Sequence, residues 1–194
     1  MKVMIGKNFD WQRRNTNSKN NMENAMSQVE TVSTTNNEGQ FLSFNLGGED
    51  YGVDILRVQE IKGWEEVREL PDTPEYVKGV LDLRGIIVPI IDLRTRFKHN
   101  NVNYTPTTVI IVLSVQKEGN SYVIGIVVDG VSDVIDVKRR EIKNAPDLGV
   151  HINTRYITGM YTKGDKMIVL LDIDKLLSPD ELNIANDITV DRCK

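Results

Sequence analysis

Asp92 and Asp172 stand 80 residues apart, each closing an apolar run and each just ahead of Leu93-Arg94 or Ile173-Asp174. Two carboxylates brought together could divide general acid and general base work between them. The same position, after a strand and before a turn, also suits an aspartate that caps the turn by accepting a backbone N–H, and the local sequence favours that role. Other reactive groups are sparse. His99 and His151 are the only imidazoles, and neither has a second His or Cys at metal-ligand spacing. Cys193, the single thiol, is the second-last residue and has no partner for an intrachain disulfide. The chain contains no Gly-rich phosphate loop with Lys-Ser/Thr, no nucleophile elbow and no dinucleotide fingerprint. These residues predict no enzyme, no metal and no cofactor, and leave binding as the work of the chain.

The elements that must carry such residues come in two copies. Tyr76, Val77, Gly79, Val88, Ile90, Ile91, Asp92 and Leu93 match Tyr156, Ile157, Gly159, Ile168, Leu170, Leu171, Asp172 and Ile173 at a constant offset. Gly52, Val58, Glu60 and Ile61 match Gly125, Val131, Asp133 and Val134 at an offset of 73, and a vaguer pairing sets 41–46 against 109–114. A period this long lies outside the range of solenoid repeats, so two related half-domains are expected, about 39–100 and about 101–177.

Apolar alternation places strands at 41–46, 51–55, 58–62, 80–83, 86–91, 108–115, 122–128, 131–137, 158–161 and 167–173. Runs such as 110–113 and 124–128 are apolar on both faces, as in strands buried on two sides. Five strands per copy predict an all-β protein of two small barrels. Thr73-Pro74 and Gly79 read as the start and end of one short helical turn, with 154–159 as its counterpart, and Ser178-Pro179-Asp180-Glu181 as a capping box that opens a C-terminal helix within 178–194. Pro89, inside an otherwise strong strand, predicts an edge or a bulge because it cannot donate a ladder hydrogen bond. Residues 1–38, rich in Asn, Ser and Thr, read as a disordered tail.

Formal charge is -4 over 194 residues, which is not the electrostatic footprint of a nucleic-acid binder. No apolar run reaches the length of a membrane span, and with the lone thiol this predicts a cytoplasmic protein that does not insert directly into a membrane.

Tyr51-Gly52-Val53-Asp54-Ile55-Leu56, Val58-Gln59-Glu60-Ile61, the Leu83-Arg84-Gly85 turn, Asp92-Leu93-Arg94 and the 127–134 segment with its Asp129-Gly130 resemble the CheW-type chemotaxis coupling proteins. The resemblance covers about 39–182. It implies two tandem five-stranded OB/SH3-like barrels, with strand exchange between them an open question, and a non-catalytic scaffold joining the cytoplasmic tips of methyl-accepting chemoreceptors to the regulatory domain of the chemotaxis histidine kinase. Localisation would be cytoplasmic, at membrane-bound receptor arrays. By the same resemblance Val58, Glu60 and Arg84 are the receptor-binding residues, and Lys143, Asp147 and Leu148 the kinase-binding ones. Simple alternation puts Val58 and Glu60 on one face of their strand. The competing expectation is an OB-type module for single-stranded nucleic acid, against which the acidic charge and few aromatic residues weigh.

Overall fold

The structure, a computed structural model, describes residues 38–99, 102–144 and 156–177. The tail read at 1–38, apart from Glu38, and the helix read from Ser178 lie outside them, as do Pro146, Asp147, Leu148 and His151.

The described chain is nearly all strand: β1 (Glu38–Leu46), β2 (Glu49–Asp54), β3 (Val58–Gly63), β4 (Val77–Leu83), β5 (Ile86–Asp92), β6 (Val109–Lys117), β7 (Asn120–Val128), β8 (Gly130–Lys138), β9 (Ile157–Lys163) and β10 (Lys166–Leu171). The named helical elements are α1 (Leu93–Arg96), α2 (Ile173–Leu176) and two 3-10 turns, Ile55–Arg57 and Arg139–Glu141, and Tyr156, just before β9, is also in 3-10 conformation. Two five-stranded sheets result, in the orders β8-β1-β2-β10-β9 and β3-β6-β7-β5-β4.

The duplication explains both orders. If β1–β5 are one copy and β6–β10 the other, the first sheet joins strands one and two of the first copy to strands three, four and five of the second. The second sheet does the reverse, so the copies exchange strands reciprocally. The boundary near residue 100 therefore separates repeats and not sheets. The chain passes from first sheet to second through 55–57 and returns through Asp129. Both sheets contain the same parallel pairing, with Leu170 opposite Gly52 in one and Ile90 opposite Gly125 in the other. A β-carbon on Gly52 would lie 3.0 Å from the Leu170 Cδ2, and one on Gly125 would lie 2.5 Å from the Ile90 Cδ1. The offset-73 glycines thus make room for the offset-80 apolar residues.

Packing follows from strands that are apolar on both faces. Along β6, Ile111 and Leu113 join a core shared by the two sheets, together with Phe44, Leu46, Val53, Ile91, Leu93, Leu171 and Ile173. Ile110 and Val112, on the opposite face, pack with Leu81, Val88, Ile90 and Val127 inside the second sheet. Ile135, Val137, Ile168 and Leu170 fill the equivalent space in the first.

Three local expectations change. Thr73 begins no helical turn: its Oγ1 donates to the Leu70 carbonyl at 3.1 Å, and Val77 N donates to the Pro74 carbonyl at 2.8 Å, in a turn that leads straight into β4. Gly79, read as a helix terminus, lies within β4 at a bulge with φ +138°, and Gly159 lies within β9. Ile173, read as strand, belongs to α2, because Asp172 accepts the Asp174 and Lys175 N–H groups and turns the chain.

Asp92 caps α1 in the same manner through Arg94 N at 2.9 Å. Pro89 sits opposite Val80 in β5, an interior strand between β4 and β7, so the expected edge or bulge is not found at Pro89. Both main-chain groups of Val80 point away from β5, to Arg68, so the Pro89 nitrogen faces β7, and the ladder to β7 begins only at Ile90. The proline costs that ladder nothing.

Candidate interaction surfaces

Arg84 and Gly85 form the two-residue turn between β4 and β5, with Leu83 opposite Ile86 and both turn residues at positive φ, 55° and 89°. Such a turn favours Asn or Gly at both positions, so an arginine at the first is a local misfit. Gly85 N closes the turn by donating to the Asp82 Oδ1 at 2.7 Å. The Arg84 side chain is 85% exposed, and its Nη2 lies 3.3 Å from the Glu60 Oε2. Beneath the pair is a cavity of about 150 Å³ lined by Gln59, Leu83, Ile86, Val88, Val112 and Val123. Arg84 and Glu60 thus form a charged rim over an apolar floor, and Ile86 is exposed beside them. That combination resembles the core and rim of a protein interface.

Val58 is not in this group. It pairs with Leu113, and Glu60 pairs with the adjacent Val112, so Gln59 is the extra residue of a bulge. The bulge breaks the alternation: Val58 packs on the core shared by the sheets, and Glu60 faces the cavity. The expectation that the two share one face is overturned for that reason.

Of the residues read as kinase-facing, Lys143 lies beside the edge strand β9. Its N–H and carbonyl both pair with Met160 at 2.8 Å, and its side chain is exposed. Asp147 and Leu148 lie outside the described residues. The first sheet carries a counterpart of the Glu60–Arg84 pair: Asp133, the repeat partner of Glu60, is 3.1 Å from the Lys163 Nζ. This hydrogen bond and charge hold the Asp133 carboxyl below its ordinary range.

Periodicity gave no sign of the polar cluster around Arg94, although Asp92-Leu93-Arg94 and Asp129 were visible as motifs. Arg94 is 1% exposed. Its Nε and Nη2 bind both oxygens of Asp92 at 3.0 and 2.8 Å, and its Nη1 binds the Asn103 carbonyl at 2.8 Å and the Asp129 Oδ1 at 3.0 Å. The guanidinium packs 4.8 Å from the centre of the Tyr104 ring, which stacks on Trp64 at 4.1 Å. Burial opposes the Arg94 charge, but the hydrogen bonds and charges of Asp92 and Asp129 outweigh it and raise the pKa. Tyr104 donates to the Asp92 Oδ2 at 3.2 Å, and burial followed by the Asp92 charge pushes the phenol up to about 12. Asp92 is thereby fully engaged in capping and pairing, which answers the question of an acid–base dyad with Asp172. Among the described residues no group of His, Cys, Asp or Glu is arranged to hold a metal ion, and no helix is long and apolar enough to cross a membrane.

Residues 40–181 match the CheW-like domain family. The chain is 47% identical over 149 residues to the chemotaxis protein CheW of Klebsiella aerogenes, covering 77% of this chain and 87% of that protein. It is 33% identical to the chemotaxis protein CheW of Rhizobium meliloti, covering 78% and 95%. Among solved structures, the scaffolding protein TtCheW of Thermoanaerobacter tengcongensis is similar with a TM-score of 0.65 and 30% identity, over 74% of this chain and 90% of that one.

Proposed function

This chain belongs to the CheW-like domain family, and on that premise we propose that its two sheets present separate surfaces to the two partners of a chemotaxis scaffold. The protein is a non-catalytic adaptor that couples receptors to a kinase. The match across 40–181, which spans both sheets, carries this reading.

For the receptor side we assign Glu60 and Arg84 as the direct contacts, with the apolar cavity below them as the seat and Val58 as support for the strand from the core. The partner is the cytoplasmic tip of a methyl-accepting chemoreceptor. For the kinase side we assign Lys143, Asp147 and Leu148, with the kinase regulatory domain as partner. The scaffold then works in the cytoplasm at receptor arrays, each sheet acting as a small OB-like barrel. One body touching both partners makes the coupling a free energy: receptor state biases the kinase, and kinase occupancy biases receptor binding by the same factor.

The test is binary binding followed by reconstitution. Arg84→Glu weakens binding to a soluble receptor fragment and spares the kinase. Leu148→Ala does the opposite, at a cost of about 1 to 3 kcal/mol in kinase affinity. Kinase that still responds fully to receptor ligand with both substitutions present would overturn the assignment.

A further inference from the structure

The two places where the chain crosses between sheets are each held by an ion pair to a helix position that the repeat relates, with the charges reversed; at the crossings themselves the offset of 73 sets Arg57 against Gly130, the neighbour of Asp129. At the return crossing, Arg94 binds Asp129 at 3.0 Å. The residue 80 positions after Arg94 is Asp174, which occupies the same place in α2 as Arg94 in α1, one residue past the helix start. Asp174 binds Arg57, the last residue of the 55–57 crossing, at 2.5 Å. Its other oxygen accepts Gln116 N of β6 at 2.7 Å. A single carboxylate therefore ties α2, which follows the first sheet, to the crossing and to the second sheet.

The pairs differ in exposure. Arg94 is fully buried, so separating it from Asp92 and Asp129 leaves charge stranded in the core. Arg57 and Asp174 retain 29% and 28% of their side-chain exposure and border an open cavity of about 250 Å³ with Asp54, Asp172, Thr158 and Phe41. Either side chain can be solvated once its partner is removed, so this pair can be altered without unfolding the chain. Position gives it a consequence. Arg57 is followed directly by Val58 and, past the Gln59 bulge, by Glu60.

We propose that Arg57 and Asp174 are positioning residues for the receptor-facing surface: their ion pair fixes where the 55–57 crossing delivers β3, and so holds Glu60 within reach of Arg84. Neither side chain need touch the receptor. This inference rests on the receptor surface assigned above, and its test separates the two.

In the 194-residue chain, Arg57→Met and Asp174→Asn are each titrated against a soluble chemoreceptor signalling fragment and against the histidine kinase. The double variant Arg57→Asp with Asp174→Arg is titrated alongside them, since the repeat already holds an arginine in that helix position facing an aspartate at the crossing. Each single variant weakens receptor binding roughly threefold to fivefold, the range of a partly exposed pair, and leaves kinase binding unchanged. The reversed pair restores receptor binding in part, since an arginine at 174 can pair with the crossing but cannot accept Gln116 N. Single variants with unaltered receptor affinity, or a reversed pair as weak as the singles, overturn the proposal.

Amide hydrogen exchange supplies a readout that needs no partner. Leu56 N donates to the Asp54 Oδ1, and Val58 N donates to the Ile55 carbonyl. Both amides exchange faster in Arg57→Met and recover in part in the reversed pair, which lacks an acceptor for Gln116 N. If the unaltered chain binds no receptor fragment, the assigned surface fails, and the exchange rates alone decide the clamp: unchanged rates in the single variant overturn it.

Discussion

Gly79 rests directly against the main chain of Arg68: a β-carbon on it would collide with the carbonyl oxygen of Arg68, the same oxygen that accepts Val80 N at 2.8 Å. The repeat reproduces the contact. A β-carbon on Gly159 would lie 2.8 Å from the carbonyl oxygen of Lys143, which accepts Met160 N at 2.8 Å. Each glycine lets an outlying segment add a two-bond bridge to the edge strand of its sheet, covering part of an edge that would otherwise offer unpaired groups.

Gly79→Ala should therefore be costly, since the clash is with backbone that cannot rotate away and φ is +138°. A loss of about 2 kcal/mol or more is expected from strain and overpacking together, measured by urea unfolding. Gly63→Ala is the control: nothing lies within 4 Å of its β-carbon position, and the change should be neutral or slightly stabilising.

Much of this architecture was legible in the sequence because its cause is periodic. Apolar alternation located the ten strands, and the offset-80 match located both capping aspartates. What periodicity misses is backbone geometry. Gly79 looked like a helix terminus because glycine favours positive φ in several settings, and only the approach of Arg68 identifies which one applies. The Gln59 bulge is similarly silent: one residue added opposite β6 turns Val58 to the core and Glu60 to the cavity. Arg94 was visible as a motif, but its partners Asn103, nine residues on, and Asp129, 35 residues on, are brought to it only by the folded chain.

Arg94→Met should be among the most damaging single substitutions in the described chain. It leaves the fully buried Asp92 without the guanidinium that engages both its oxygens, and removing one partner of a buried pair costs about 3 to 5 kcal/mol. Arg94→Lys should lose less, because it keeps the charge but not the planar fork that reaches Asp92, Asp129 and Asn103 together. Thermal unfolding of the three proteins should rank them in that order.

Tyr104 gives the fold a dependence on alkaline pH. The ordinary phenol value is 10.0, and in the folded chain Tyr104 is pushed up to about 12 by burial and by Asp92. A raised folded value means the contribution is complete below pH 10.0. Stability then falls as the pH rises from there towards about 12, because the unfolded chain releases this proton first. Tyr104→Phe should flatten that part of the decline in urea unfolding measured across the window. An ultraviolet titration should show the late tyrosinate disappear in the variant. Tyr51, also raised by burial, leaves a residual slope in both proteins.

Arg84 separates what the turn needs from what the surface needs. Its φ of 55° is a conformation that Asn adopts more readily than Arg, and its ion pair with Glu60 is too exposed to return much stability. Arg84→Asn should therefore stabilise the fold by about 0.5 to 1 kcal/mol, seen as a higher urea midpoint with an unchanged slope. The same variant should bind the receptor fragment more weakly, because it removes the planar, multiply donating head from the rim of the cavity. A fold made firmer and a surface made weaker by one substitution would mean that arginine stands in this turn for its side chain and against the preference of the backbone. If stability falls instead, Arg84 serves the turn, and the receptor surface must be sought elsewhere on the second sheet.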